Sequence, residues 1–212
     1  GCSLDNSNLV EPVIIDPPSL TIISSDTLVS GQYLGIVIGG KAELIYQEIQ
    51  KLPVLNPVNL INIVGNFVTD FPGLQERLPL YSYFWLDESA GTDSGVQVSL
   101  EGGKVTSIFL SSGKALSQWP SNANSDASLR VGDMAGTLYA KLAKIKSNQA
   151  YSKKFERVML LTKNLSLAFD PETALSPQWY FAYKTADNLL EEVQVNFKNG
   201  VAVSIVVNKY QN

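Results

Sequence analysis

Residues Gly39-Gly40-Lys41-Ala42-Glu43-Leu44-Ile45-Tyr46-Gln47-Glu48-Ile49 place Ile45, Tyr46 and Ile49 three, four and seven positions after Ala42. That is the apolar stripe of an amphipathic helix, opened by a glycine. The pattern recurs 93 residues later, where Gly132, Ala135, Leu138, Tyr139 and Leu142 keep the same spacing. Further on, Tyr83-Phe84 matches Tyr180-Phe181, and Val96-Gln97-Val98-x-Leu100-x-x-Gly103 matches Val193-Gln194-Val195-x-Phe197-x-x-Gly200, at an offset of 97. Shared periodicity together with Gly, Tyr and Gln identities reads as a tandem duplication with one four-residue insertion.

Before the first helix, Leu20–Ile23 and Tyr33–Ile38 are β-rich and read as extended segments, and the helix near 41–51 is stopped by Pro53 and Pro57. Strands follow at 59–70, 80–87, 95–101 and 104–111, the last two joined across Glu101-Gly102-Gly103-Lys104. The polar, small-residue stretch 121–126 links this part to the next helix, near 134–147. Strands near 155–169, 177–185, 191–198 and 201–208 then repeat the plan, with Asn199-Gly200 as the hairpin turn. The fold class is α+β: a tandem duplication of a unit with one helical segment packed on a four-stranded antiparallel meander. The expected division is a tether at 1–20, repeat 1 at 21–120 and repeat 2 at 121–212.

Tandem helix-plus-meander units, each with an Ile38-Gly39 or Val131-Gly132 helix start, a Tyr-Phe strand and a Gly-turned hairpin, resemble the β-lactamase-inhibitor-protein fold. Over residues 34–209 the chain also looks like the SmpA/OmlA-type outer-membrane lipoproteins. A weaker likeness is to tandem PepSY-like exported proteins. The resemblance implies non-enzymatic binding through a sheet face, either inhibition of a secreted enzyme or scaffolding in the cell envelope. The inhibitor family carries disulfides in its repeats; one cysteine cannot form one within this chain.

That cysteine, Cys2, stands in Gly1-Cys2-Ser3 before a polar stretch through Asn8, as at a bacterial lipoprotein cleavage point, with the lipid on the thiol. The alternative is a plain surface thiol. No apolar run approaches the roughly 18 residues of a transmembrane helix. Low charge density with abundant Ser, Asn, Thr and Gln suits an exported protein. Residues 1–120 carry a net charge of −7 and residues 121–212 one of +3, most of the basic charge falling in Lys141, Lys144, Lys146, Lys153, Lys154, Arg157 and Lys163. The basic run reads as a solvated helix flank or, alternatively, as a surface for an anionic partner. The acidic isoelectric point of about 4.9 and the lack of a recognised motif argue against nucleic acid.

Several patterns look chemical. Gly35-x-x-x-x-Gly40-Lys41 matches a phosphate loop up to Lys41, but Ala42 stands where the magnesium-binding Ser or Thr belongs. Ser111-Ser112-Gly113-Lys114 fits S-x-x-K without its partner motifs. The absence of histidine removes the usual general base and the commonest metal ligand. Asp87, Glu88 and Asp93 fall in one loop and Asp187, Glu191 and Glu192 in its counterpart; both read as solvated acidic loops rather than cation sites. No catalytic residue, metal or cofactor is expected.

The candidate surface lies on strand 80–87. With Phe84 facing the helix, Tyr81, Tyr83 and Trp85 point outward, joined by Phe109 from the hairpin, whereas the second copy carries Gln178, Ala182 and Val206. Amphipathic aromatics on a sheet are enriched at interaction sites. The alternative is that segment 9–36, with Val13, Ile14, Ile15, Ile22 and Ile23, covers that face. The expected function is therefore that of a non-enzymatic exported lipoprotein, anchored to the membrane through Cys2 and binding or scaffolding an envelope or secreted protein, with an inhibitor-like mode included. A carbohydrate- or small-ligand-binding lipoprotein using the same aromatics is the alternative.

Overall fold

The structure, a computed structural model, describes residues 20–52 and 58–212; Cys2, the tether, Val13, Ile14, Ile15, Pro53 and Pro57 lie outside the described residues. The two periodic segments form helix α1 (Ala42–Gln50) and helix α3 (Ala135–Ser147). A four-residue turn, α2 (Leu74–Arg77), lies between them. Their stripes are buried: Ala42, Ile45, Tyr46 and Ile49 on α1, and Leu138, Leu142 and Ile145 on α3. The class is α+β.

The chain divides into two compact units, one of residues 67–161 and the other of the described residues up to Asn66 together with 162–212. The first contains α3 and a five-stranded antiparallel sheet. Its strands are β5 (Tyr83–Asp87), β6 (Val96–Glu101), β7 (Lys104–Leu110), β8 (Ala115–Leu116) and β11 (Arg157–Leu160), in the order β11-β5-β6-β7-β8. A small ribbon of β9 (Gln118–Trp119) and β10 (Leu129–Arg130) completes it. The second unit contains α1 and a six-stranded sheet of β1 (Thr21–Leu28), β4 (Leu60–Ile63), β12 (Lys163–Asn164), β13 (Gln178–Ala186), β14 (Leu189–Lys198) and β15 (Val201–Gln211). Their order is β1-β15-β14-β13-β4-β12, and β2 (Gln32–Tyr33) pairs separately with β3 (Ile36–Val37).

The units are not the stretches 21–120 and 121–212. β4 pairs with β13, Asn62 lying opposite Tyr180, and β11 pairs with β5, Leu160 lying opposite Phe84. The helices follow their strands, α1 into the unit of β13–β15 and α3 into the unit of β5–β8. Alternation within each strand is local and leaves the neighbouring strand open. The strands expected at 59–70 and 155–169 are also shorter, four residues each. After β4 the chain enters helical turns from Phe71 to Leu80, where Pro72 and Pro79 have no N–H for a ladder.

The hairpins obey the expected alternation. Val96, Val98 and Leu100 are buried on β6, as are Val193, Val195 and Phe197 on β14. Both turns use a left-handed glycine, Gly103 and Gly200 each at φ +76°. A Cβ on Gly103 would meet nothing within 4 Å, so a side chain there costs backbone strain alone. Gly103→Ala and Gly200→Ala should each lower stability by about 1 kcal/mol in denaturant titration, with the slope against denaturant unchanged; no loss at either position would contradict the turn assignment.

Candidate functional site

The sheet of the first unit has one apolar face, with Phe84, Leu86, Val96, Val98, Ile108, Val158 and Leu160 almost wholly buried. Alternation puts Tyr83, Trp85, Gln97, Phe109 and Met159 on the other face. Register aligns them in a row: Met159 opposite Trp85, Trp85 opposite Gln97, Gln97 opposite Phe109, and Phe109 opposite Ala115. The expected residues Trp85 and Phe109 are thus brought into one row, with Tyr83 beside it on β5, all three partly buried. Tyr81 departs from the expectation: it precedes β5 and is buried to 3% exposure. It follows the helical turn Leu78–Leu80, so strand alternation does not reach it. Ile22 and Ile23, expected as a cover for these aromatics, are about half exposed on β1, paired to β15 in the other unit's sheet.

Sequence reasoning missed the polar part of this face. Gln97, between Trp85 and Phe109, is only 4% exposed. Its Oε1 is buried without a hydrogen-bond partner, and so is Trp85 Nε1. In the adjoining row Arg157 lies opposite Asp87, and Ser111 N–H donates to the Gly95 carbonyl. Ser111 Oγ and Arg157 Nε are likewise buried and unpartnered. Two donors, one acceptor and one hydroxyl on a single sheet face are therefore left unused. An orphaned buried polar atom costs about 1–3 kcal/mol, so four on one face call for a reason.

Gln194, at the matching position of β14, has an acceptor for its amide N–H. Its Nε2 donates to Glu192 Oε1 at 2.7 Å, and Asn208 Nδ2 donates to the same oxygen at 3.1 Å. Two residues before Gln97 the chain has Gly95 instead of an acid. A side chain is barred there, since a Cβ would lie 2.6 Å from both Asp87 Oδ2 and Ser111 Oγ.

Asp87 is the reason for that crowding. It is 1% exposed, which corrects its reading as part of a solvated acidic loop. Its carboxylate accepts from Thr92 Oγ1 at 2.7 Å, Thr92 N–H at 3.0 Å and Glu88 N–H at 2.8 Å, with Arg157 Nη2 at 3.4 Å. Burial pushes its pKa up, but the bonds from Thr92 and Glu88 and the charge of Lys154 outweigh that, and it lies below the ordinary value. Lys154 Nζ reaches Glu88 at 3.0 Å, Thr92 Oγ1 at 2.9 Å and Ser94 Oγ at 2.7 Å, holding the loop 88–94 against the sheet edge. Lys141 and Lys144 are likewise paired within the chain, to Asp133 and Asp126. Glu191 and Glu192 are buried too, Glu191 accepting from the Tyr33 and Tyr183 hydroxyls. Burial raises the pKa of Glu191 while Lys209 opposes the rise. Among the described residues no group of three His, Cys, Asp or Glu is placed to hold a metal, and no helix is long and apolar enough to cross a membrane.

In the second unit Lys163, expected on a solvated flank, is fully buried. Its ammonium donates to Tyr46 Oη and the Asn164 carbonyl, each at 2.8 Å, beside an aromatic group in which Tyr46 meets Phe169 and Trp179. Desolvation lowers its pKa from 10.5 to about 8, with Asp170 opposing, and desolvation raises that of Tyr46 to about 12. Folded Lys163 therefore releases its proton before the unfolded chain does, and stability rises between pH 8 and 10.5. This contributes on the order of 3 kcal/mol. Tyr46 acts oppositely between pH 10 and 12, where the folded chain keeps a proton the unfolded one has lost. Chemical denaturation against pH should show this maximum, and Lys163→Met should abolish the rise while leaving the fall; a rise that persists would refute the assignment.

No protein-family model, curated protein or solved structure matches the chain.

Proposed function

We propose that the protein is a non-enzymatic binding module of the cell envelope, and that it recognises an envelope or secreted protein through the Trp85–Gln97–Phe109 face. The observation that carries this is the set of buried, unpartnered polar atoms of Trp85, Gln97, Ser111 and Arg157 beside partly buried aromatic rings. A polypeptide segment offers alternating N–H donors and carbonyl acceptors, which Gln97 Oε1 and Trp85 Nε1 lack and would meet once their buried side chains turn outward on binding. Aromatic rings bury large area at low entropic cost around such contacts. The resemblance to the β-lactamase-inhibitor-protein and SmpA/OmlA-type folds, where binding goes through a sheet face, fits the same reading. An inhibitor-like mode falls within it.

The second reading, a carbohydrate or small polar ligand on the same aromatics, is favoured by the Ser111 hydroxyl and Arg157 Nε, which suit sugar hydroxyls as well as amides. Membrane attachment through a lipid on Cys2 belongs to the proposal. Labelled palmitate should enter the precursor and be lost in Cys2→Ser, and label that persists would reject the anchor.

Gln97→Leu separates recognition from structure. Removing an orphaned buried acceptor should raise the stability of the free protein by about 1 kcal/mol while abolishing partner binding. Trp85→Ala should weaken binding about thirtyfold or more. Affinity is read against envelope extracts for the lead reading and on a glycan array for the second. Destabilisation by Gln97→Leu, or binding unchanged in both variants, would overturn the site.

A further inference from the structure

The segments beginning at Gly39 and Gly132 share more than a pattern. Each makes the same backbone bonds, to the hairpin of the other half of the chain. Gly39 N–H donates to the Ala202 carbonyl and Gly132 N–H to that of Val105, both at 2.8 Å. Ala42 N–H donates to Gly200 at 3.0 Å, and Ala135 N–H to Gly103 at 2.8 Å. The return bonds match, Ala202 N–H to Gly40 at 2.9 Å and Val105 N–H to Asp133 at 2.8 Å. Lys41 bridges Val201 where Met134 bridges Lys104. The entering glycines share their backbone, φ +91° at Gly39 and +96° at Gly132.

The correspondence continues past the helices. The Tyr46 ring packs tilted against Phe169 at 5.4 Å, and that of Tyr139 against Phe71 at 5.3 Å. Asn62 lies opposite Tyr180, while Leu161 N–H donates to the Tyr83 carbonyl. Leu60 pairs with Asn164 as Met159 pairs with Phe67. Leu165 N–H donates to Asn59 at 2.9 Å, and Val68 N–H to Val158 at 2.8 Å. Every contact in both sets joins a residue before the 121–126 linker to one after it.

We infer that the chain is a duplication whose copies have traded arms. Residues 39–52 and 58–66 of the first copy complete the sheet of the second, and residues 132–161 of the second complete the sheet of the first. The partner each sheet is built to take is thus the arm of another copy, as in a swapped dimer joined into one chain. Without that arm the first copy would lose Leu138, Leu142 and Ile145 from its unit, with Val96, Val98 and Ile108, each at most 1% exposed, among the apolar residues left with less cover. Neither copy is a folding unit alone. The linker tethers the copies, while the arms hold them together.

Cutting the linker of the intact protein tests this. Ser121, Asn122 and Asn124 are exposed, so a protease recognition sequence can be inserted there and the folded chain cleaved. The two fragments should elute together at the volume of the uncut chain and separate only in denaturant. In a Cys2→Ser background, the pairs Phe67→Cys with Met159→Cys and Leu60→Cys with Asn164→Cys each span the cut within one unit. After mild oxidation and cleavage, either pair should keep the fragments as one band on a non-reducing gel. Fragments that part under native conditions would overturn the inference. So would the failure of both pairs to cross-link in protein that keeps its native circular dichroism.

Discussion

The pairing of β11 on β5 and of β4 on β13 is the constraint on which the rest of the structure depends. β4 and β11 are each four residues long and too short to hold a sheet by themselves. Each comes with the helix that precedes it. Strand pairing fixes where the helix lands, and the glycine-led helix starts bond to the hairpin turns at Gly103 and Gly200. One set of contacts therefore fixes sheet edge, helix position and hairpin register together. A substitution that breaks the pairing would loosen all three.

The face opposite the helix in the first unit follows from that arrangement. With Phe84, Leu86, Val96 and Val98 committed to the core, alternation leaves Trp85 and Gln97 on the other side, and register sets them side by side. Asp87 then acts at a distance. The hydrogen bonds it accepts from Thr92 and Glu88 hold a carboxylate oxygen so close to Gly95 that no side chain fits, and so β6 has no counterpart of Glu192, which on β14 accepts from Gln194 Nε2. Gln97 Oε1, an acceptor, is left without a donor on this face. An unsatisfied buried group of this kind calls for an explanation.

The helices were legible because the apolar residues of 42–49 and 135–145 repeat at the helical period, and the hairpins because Gly102-Gly103 and Asn199-Gly200 supply the positive φ a tight turn requires. Trp85 and Phe109 were placed on one face by alternation alone. Tyr81 escapes the alternation because it follows a proline-containing helical turn. The burial of Asp87, Glu191 and Lys163 was not legible, since each depends on groups far along the chain: Asp87 on Lys154 and Arg157, Glu191 on Tyr33, and Lys163 on Tyr46.

By itself the sequence determined the local elements, the α+β class and which side of each strand is apolar, because those follow from periodicity and turn chemistry over a few residues. Tertiary structure alone decided which strand lies beside which. Edge pairing uses backbone N–H and carbonyl groups that every strand presents alike, so the sequence of one strand does not name its neighbour. The same decision put the arm of residues 132–161 on the sheet of residues 83–116 and left Gln97 Oε1 and Trp85 Nε1 without partners.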